Sequence, residues 1–293
     1  MLFTRKISKN ASTAFAIAFA SLTLAGGSQI FAQAGNPFSA VSLAKVSTRE
    51  NAEVPAPPPA PANWSGFYVG GFAGGSFARA SANTSTIFSP TGYFATSSPP
   101  AINVTGTQRL KPNGVNAGIE AGYNHQAGHF VIGAEADFGV LTGSKTQTNS
   151  NLYPCCAPTN FTVAQSVKNK WLFTARPRAG FTAVKALFYV TGGLALTNVN
   201  YSAVFTDTFA TASESGSISK TRLGWTAGGG IEAKIAPKWS AKAEYLFADF
   251  RRVSTTSTNL TAFAPPIAFP TNIFTHSIYL KENVVRFGIN YHF

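Results

Sequence analysis

The stretch "VVRFGINYHF" runs from Val284 to Phe293. Counted in twos, it sets Val285, Phe287, Ile289, Tyr291 and Phe293 on one parity, and Arg286, Gly288, Asn290 and His292 on the other. A period of two is the mark of a strand, whose successive side chains point to opposite faces. One face is aromatic and aliphatic, the other cationic and polar. The two faces therefore need different surroundings.

The pattern repeats upstream. Period-2 segments occupy Trp64–Ala78, Gly114–Asn124, Phe130–Leu141, Asn169–Phe181, Ala186–Tyr201, Lys220–Ile235 and Trp239–Arg251, and Tyr279–Phe293 makes eight. Each is near or above the roughly 9–11 residues that a tilted strand needs to cross a bilayer. Their connections alternate: "HQAGH", "TAVK" and "APK" are short, and the others are long and rich in Ser, Thr, Asn and Pro. Short turns on one side and long polar loops on the other are the layout of an outer-membrane barrel.

The faces sharpen the point. In Phe130–Leu141, Phe130, Ile132, Ala134, Ala136, Phe138 and Val140 oppose Glu135 and Asp137. In Trp239–Arg251, Trp239, Ala241, Ala243, Tyr245 and Phe247 oppose Lys242 and Glu244. In lipid only a closed barrel satisfies every backbone group of such strands, so the apolar face is expected outside and the charged face inside. Trp64 and Trp239 are expected at one aromatic girdle, Trp171 and Trp225 at the other. Pro177 predicts a bulge on the lipid face of its segment. Ala186–Tyr201 is apolar on both parities, and its faces stay unassigned.

Composition agrees. Only 12% of the 293 residues are charged, about half the share of a soluble globular chain. Arg5, Lys6 and Lys9, then the apolar Ala11–Gly26, then Ala32-Gln33-Ala34, predict a signal peptide over residues 1–34 and hence export. Residues 35–63, Pro/Ala-rich over Val54–Pro61, form a periplasmic spacer. Residues 64–293 form the barrel. Cleavage removes three basic residues and no acid, which takes the net charge from +12 to +9. These charges are scattered and form no basic helix, which argues against nucleic acid; an anionic lipid surface is their natural partner. Cys155-Cys156 lacks the second pair that a zinc site requires, leaving a locally oxidised loop tip, a strained small ring or a crosslink between chains. "GGFAGG" at Gly70–Gly75 lacks the following helix and the Lys-Ser/Thr of a phosphate loop.

"NWSGFYVGGFAGGSF" at Asn63–Phe77, "GYNHQAGHFVIGAEADF" at Gly122–Phe138, "GWTAGGGIEAKIAPKWSAKAEYLFADF" at Gly224–Phe250 and the terminal "VVRFGINYHF" together resemble the small porin-family barrels of Gram-negative outer membranes. The chain resembles in particular the OmpA-like surface antigens of alphaproteobacteria. The resemblance implies an all-β fold, an eight-stranded antiparallel up-and-down transmembrane barrel in the cell outer membrane. It implies structural, antigenic or porin-like roles, contact with outer-membrane lipids and lipopolysaccharide, and a monomer. It also implies that the barrel-assembly machinery reads a C-terminal signal, here Phe287, Ile289, Tyr291 and Phe293.

The inward parity is expected to collect Glu120, Glu135, Asp137, Glu232 and Glu244 with Arg176, Arg178, Arg222, Lys234, Lys242 and Arg286. The lumen of an eight-stranded barrel is just wide enough for side chains to fill. Such crowded charges should pair, because an unpaired one there costs several kcal/mol, roughly. The expectation is a plug of paired charges, with a narrow polar pathway for small solutes as the alternative. No cofactor and no enzymatic activity are expected. His276-Ser277 is the one catalytic candidate and has no acid nearby in sequence. A third reading has the loop aromatics Tyr93, Phe94, Tyr153, Phe161, Phe263, Phe269 and Phe274 grip a flat ligand such as haem, with His276 as axial ligand. Packing among themselves is the simpler use of those rings.

Overall fold

The computed structural model describes residues 62–293, so the expected signal peptide and nearly all of the expected spacer lie outside the described residues. The elements are β1 (Gly66–Thr86), α1 (Ser98–Thr105), β2 (Thr107–Leu110), β3 (Gly114–Ala127), β4 (Phe130–Leu141), β5 (Ser144–Leu152), β6 (Asn160–Ala183), β7 (Ala186–Asp207), β8 (Ser213–Ala236), β9 (Trp239–Ser257), β10 (Thr261–Ala262), β11 (Ile267–Ala268) and β12 (Phe274–His292). All twelve strands belong to one antiparallel, barrel-like sheet. β12 pairs with β1 from Tyr68↔His292 to Thr86↔Phe274, and with β9 on its other edge.

Closure is uneven at the long-loop end. β3 pairs with β1 only as far as Ser76↔Gly114, and β2 takes over on β1 at Ala80–Asn83. β4 leaves β6 at Val140↔Trp171, and β5 replaces it from Ser144↔Lys168. The amides of Gln108 and Gln165 stitch this region, donating to the carbonyls of Val163 (2.9 Å) and Gly106 (2.7 Å). The β8–β9 ladder starts at Ala236↔Trp239 and stops at Trp225↔Asp249. Beyond it, β8 continues to Ser213 paired with β7, and β9 to Ser257 paired with β12.

Side-chain polarity is inverted near the short turns and ordinary near the long loops. In β4, Phe130, Ile132, Phe138 and Val140 are exposed while Glu135 and Asp137 are buried. In β8, Ile231, Trp225 and Leu223 point out and Glu232 points in. Further along β8 the outward residues become Ser219, Ser217 and Ser215, and Ile218 is buried. β1 switches in the same way, from exposed Phe67, Val69 and Phe77 to exposed Arg79 and Ser81 over buried Ala78, Ala80 and Ala82. The long strands therefore outrun the segments read from the sequence, because the alternation persists while its phase reverses.

Two expectations are corrected, and one reading left open is resolved. Pro177 pairs with Ala134 in unbroken register, and the β6–β7 irregularity lies instead between Asn169 and Leu172. Opposite Pro177 the β6–β7 ladder simply omits two pairs, so the missing N–H is accommodated without a bulge. Trp64 is no girdle residue: it is fully buried, edge-on to His292 and under the Lys234 ammonium at 4.8 Å. It precedes β1, and Gly66 at φ 124°, a conformation open to glycine, redirects the chain there. β7 does have two faces: Phe188, Val190 and Leu194 are exposed, whereas Leu187, Tyr189 and Ala195 face inward. Its inner apolar residues disguised the alternation, since Leu187 and Tyr189 pack with Trp64 and Val131 at the short-turn mouth.

β12 records the layers of the interior. From the short-turn end its inward residues are His292, Asn290, Arg286, Val284, Glu282, Leu280, Ile278, His276 and Phe274. A charged layer surrounds Arg286. An apolar layer, including Leu110, Val167, Leu172, Ile218, Leu246 and Leu280, lies above it. A polar cluster at His276 follows, then an aromatic cap around Phe94, Phe161, Phe205 and Phe274.

Candidate functional site: the charged lumen

The lower lumen is built from β3, β4, β6, β8, β9 and β12, each supplying inward residues at every second position. The Arg176 guanidinium lies 2.7 Å from Glu135, 2.9 Å from Asp137 and 3.2 Å from Glu244. Arg286 reaches Glu244 at 2.6 Å and Asp137 at 3.0 Å. Arg178 bridges Glu135 (3.2 Å) and Glu232 (3.1 Å). The Lys242 ammonium sits 2.5 Å from Glu120 and 3.1 Å from Glu135. All these residues are buried. Ions held this far from water survive only when each has partners, and here each touches at least one of opposite sign.

Arg222 and Lys234, expected in this set, lie elsewhere. Arg222 sits above the end of the β8–β9 ladder and donates to the Arg252 carbonyl at 3.2 Å. Lys234 covers Trp64 at the short-turn mouth. Parity alone placed both correctly on the inward register, but it carries no information on height along the barrel.

Neutral residues complete the network. Tyr68 donates to Glu135 at 2.7 Å and Tyr189 to Glu244 at 3.0 Å. Their two rings bracket the Arg178 guanidinium at 4.7 and 4.9 Å. Thr174 donates to Asp137, and Asn290 and Ser240 donate to Glu232. His292 lies 3.3 Å from Glu232. Sequence reading missed these partners because a hydroxyl or amide on an inward parity has no motif. Glycine makes the room: a Cβ at Gly122 would fall 2.3 Å from the Tyr68 hydroxyl, and one at Gly74 would strike the backbone under Arg286. Glu282 was also missed. It sits buried in the apolar layer with Ser76 donating to one oxygen at 2.5 Å, and its other oxygen is unpartnered.

His276 is brought to an acid that sequence distance concealed. Its Nε2 lies 3.0 Å from Glu214 and 2.9 Å from the Ser257 hydroxyl, and its Nδ1 faces Thr84 at 3.1 Å. Ser277 is no part of this cluster. Both ring nitrogens are engaged and the ring is fully buried, which leaves no open position for an axial ligand and no approach for a substrate. The loop aromatics pack on one another: Phe94 stands edge-on to Phe205 at 5.5 Å and Tyr93 meets Phe269 at 5.3 Å. Tyr93 and Tyr153 both donate to Asp207, at 2.6 and 2.8 Å. Burial and that carboxylate push both phenols above their ordinary range. Cys155 and Cys156 are joined to each other.

The C-terminal residues lie on the outer wall. Phe287, Ile289 and Phe293 are exposed, Tyr291 stacks edge-on with Trp239 and Phe293, and the Phe293 N–H reaches the Phe67 carbonyl at 3.1 Å.

An apolar outer wall around a charged, hydrogen-bonded interior, made by one antiparallel sheet, defines an outer-membrane β-barrel protein. Comparison agrees: the outer membrane protein beta-barrel domain family matches residues 52–293, and the chain belongs to that family. It is 32% identical over 251 residues to the 31 kDa outer-membrane immunogenic protein of Brucella melitensis, covering 82% of this chain and 90% of the relative. It is 28% identical over 216 residues to the 25 kDa outer-membrane immunogenic protein of Brucella abortus, covering 73% and 79%. Among solved structures it is similar to Neisserial surface protein A, with TM-score 0.34 and 14% identity over 78% of this chain and 98% of that one. The protein is located in the outer membrane.

Proposed function

We propose that this chain is an eight-stranded up-and-down barrel that serves as a structural, surface-presenting protein of the outer membrane, with a lumen plugged rather than conducting. Its long strands would be β1, β3, β4, β6, β7, β8, β9 and β12, with the short turns and both ends of the barrel chain on the periplasmic side. Outer-leaflet lipids and lipopolysaccharide would surround the wall, the assembly machinery would read the strand ending in Phe293, and the barrel would work as a monomer without catalysis. The relatives named as immunogenic support surface presentation.

One observation carries the plug. Arg286 crosses the lumen from β12 to Asp137 on β4 at 3.0 Å while also holding Glu244 on β9 at 2.6 Å. The apolar layer of Leu246, Leu280 and Val284 lies directly above it. Water and ions would have to cross both a layer of paired charges and an apolar one. Purified protein in planar bilayers is expected to give no stable channels. Reproducible single-channel conductance that changes with Arg286→Ala would replace the plug by a narrow polar pathway.

A further inference from the structure

The charge balance of the outer wall is one-sided. Among the described residues every acidic side chain is buried or half-buried, whereas most lysines and arginines outside the lumen are exposed. One group lies where the β8–β9 ladder ends at Trp225↔Asp249. Lys220 and Arg222 on β8, Arg251 and Arg252 on β9, and Lys281 on β12 gather around this opening, with Arg79 of β1 paired beside Lys281.

Local geometry is bent to make the group. Arg251 adopts φ 58°, a left-handed conformation that is uncommon for a residue with a long side chain. As a result Arg251 and Arg252 are both exposed, although neighbours in a strand normally point to opposite faces. Opposite them the β9–β12 register shifts between Tyr279 and Lys281. Lys220 and Arg222 have inward parity, yet Lys220 is exposed and Arg222 half-exposed, because no β9 neighbour closes the wall beside them. The one acid present, Asp249, is already engaged. It accepts from the Arg251 N–H at 2.9 Å and from the Tyr279 hydroxyl at 2.5 Å, with the Lys281 ammonium at 3.9 Å. Lys281 has this acid within reach, whereas Lys220, Arg222, Arg251 and Arg252 make no ion pair among the described residues. Strained, unpaired charge of this kind marks a site that something else completes.

Height selects the partner. Trp225 shares the row of Asp249, Lys281 and Arg79, and exposed indoles rest at the headgroup level of a bilayer. Exposed Leu223 and Trp225 flank the opening on the β8 side, a surface for acyl chains. We propose that the opening between β8 and β9 is a binding site for the phosphate of an outer-leaflet glycolipid, held by the Arg251, Arg252 and Arg222 guanidiniums and by Lys220. Arginine forks match phosphate oxygens in pairs, and planar guanidinium is suited to this contact. This inference rests on the outer-membrane surface reading above and assigns that surface one specific locus.

The test titrates the mature protein in neutral detergent micelles with bisphosphorylated lipid A and with the same lipid stripped of its phosphates, followed by the emission of tryptophan. Wild-type protein should prefer the phosphorylated lipid by about tenfold or more, the order expected for a charge-assisted pair. The double variant Arg251→Gln/Arg252→Gln should lose that preference. Lys111→Gln/Lys145→Gln, which removes as much exposed charge away from the opening, should keep it. Lys220→Gln/Arg222→Gln is the second seam variant should the first fail to show heat-modifiable gel mobility. Retained preference in a folded seam variant, or equal loss in the control pair, overturns the site while leaving the barrel reading intact. Wild-type protein that binds neither lipid overturns the lipid-facing reading itself. Competition by millimolar inorganic phosphate would reassign the site to the free anion.

Discussion

The half of the barrel near the short turns and the half near the long loops are stabilised by opposite means. The first holds Arg176, Arg178, Lys242 and Arg286 among five carboxylates inside an apolar wall. The second buries Val167, Ile218, Leu280 and their neighbours beneath a wall of Ser, Thr and cations, as a water-soluble β-protein would. Both halves use the same strands. What changes is the solvent: lipid outside favours charge within, and water outside favours apolar atoms within. The reversal falls at Phe77–Ala78 in β1 and near Leu223 in β8.

The comparison breaks first at its ionic half. Arg286→Ala would leave Glu244 and Asp137 short of a partner in a dry layer, and should cost about 3–5 kcal/mol. Urea unfolding in vesicles checks this; a loss below about 1 kcal/mol would mean that the lumen is wet. Leu280→Ala, in the other half, should cost about 3 kcal/mol through lost burial and the cavity left behind. It should do so with little dependence on salt, which distinguishes a hydrophobic contribution from an ionic one. The wall offers the closest contrast, within β8 alone. Ile231→Lys should cost about 2–4 kcal/mol near the bilayer midplane, whereas Ser217→Lys, on the same parity of the same strand, should stay within about 0.5 kcal/mol. Equal costs at these two positions would place the lipid boundary elsewhere.

That reversal also explains what the sequence could and could not disclose. Exposed Phe130, Ile132 and Phe138 against buried Glu135 and Asp137 are legible at once, because strand period and hydrophobic contrast coincide. The terminal strand was equally plain, with Arg286, Asn290 and His292 inside. At the reversal the contrast fades over a residue or two and then returns inverted, so a reader tracking one apolar parity ends β8 at Lys220 when it runs on to Ser213. The same blindness to height placed Arg222 and Lys234 in the ionic layer. The Glu214–His276–Ser257 cluster was hidden for a different reason: its members come from three strands, 62 and 19 residues from His276, and no local spacing announces them. Trp64 shows a third limit, since an indole just outside a strand can turn into the mouth as easily as out to lipid.

Beyond Trp225, β8 continues as paired strand to Ser213 and meets β10 there. At about 3.3 Å per residue and a tilt of about 40°, this extension lifts the tip by roughly 30 Å. The molecule is thus a pedestal as well as a wall. Its aromatic crown, locked by Phe94, Phe205 and Phe274, is carried on stiff paired strands clear of the lipid headgroups. In the proposed orientation, an encounter with anything approaching from outside the cell begins at that height, without requiring the visitor to reach the bilayer.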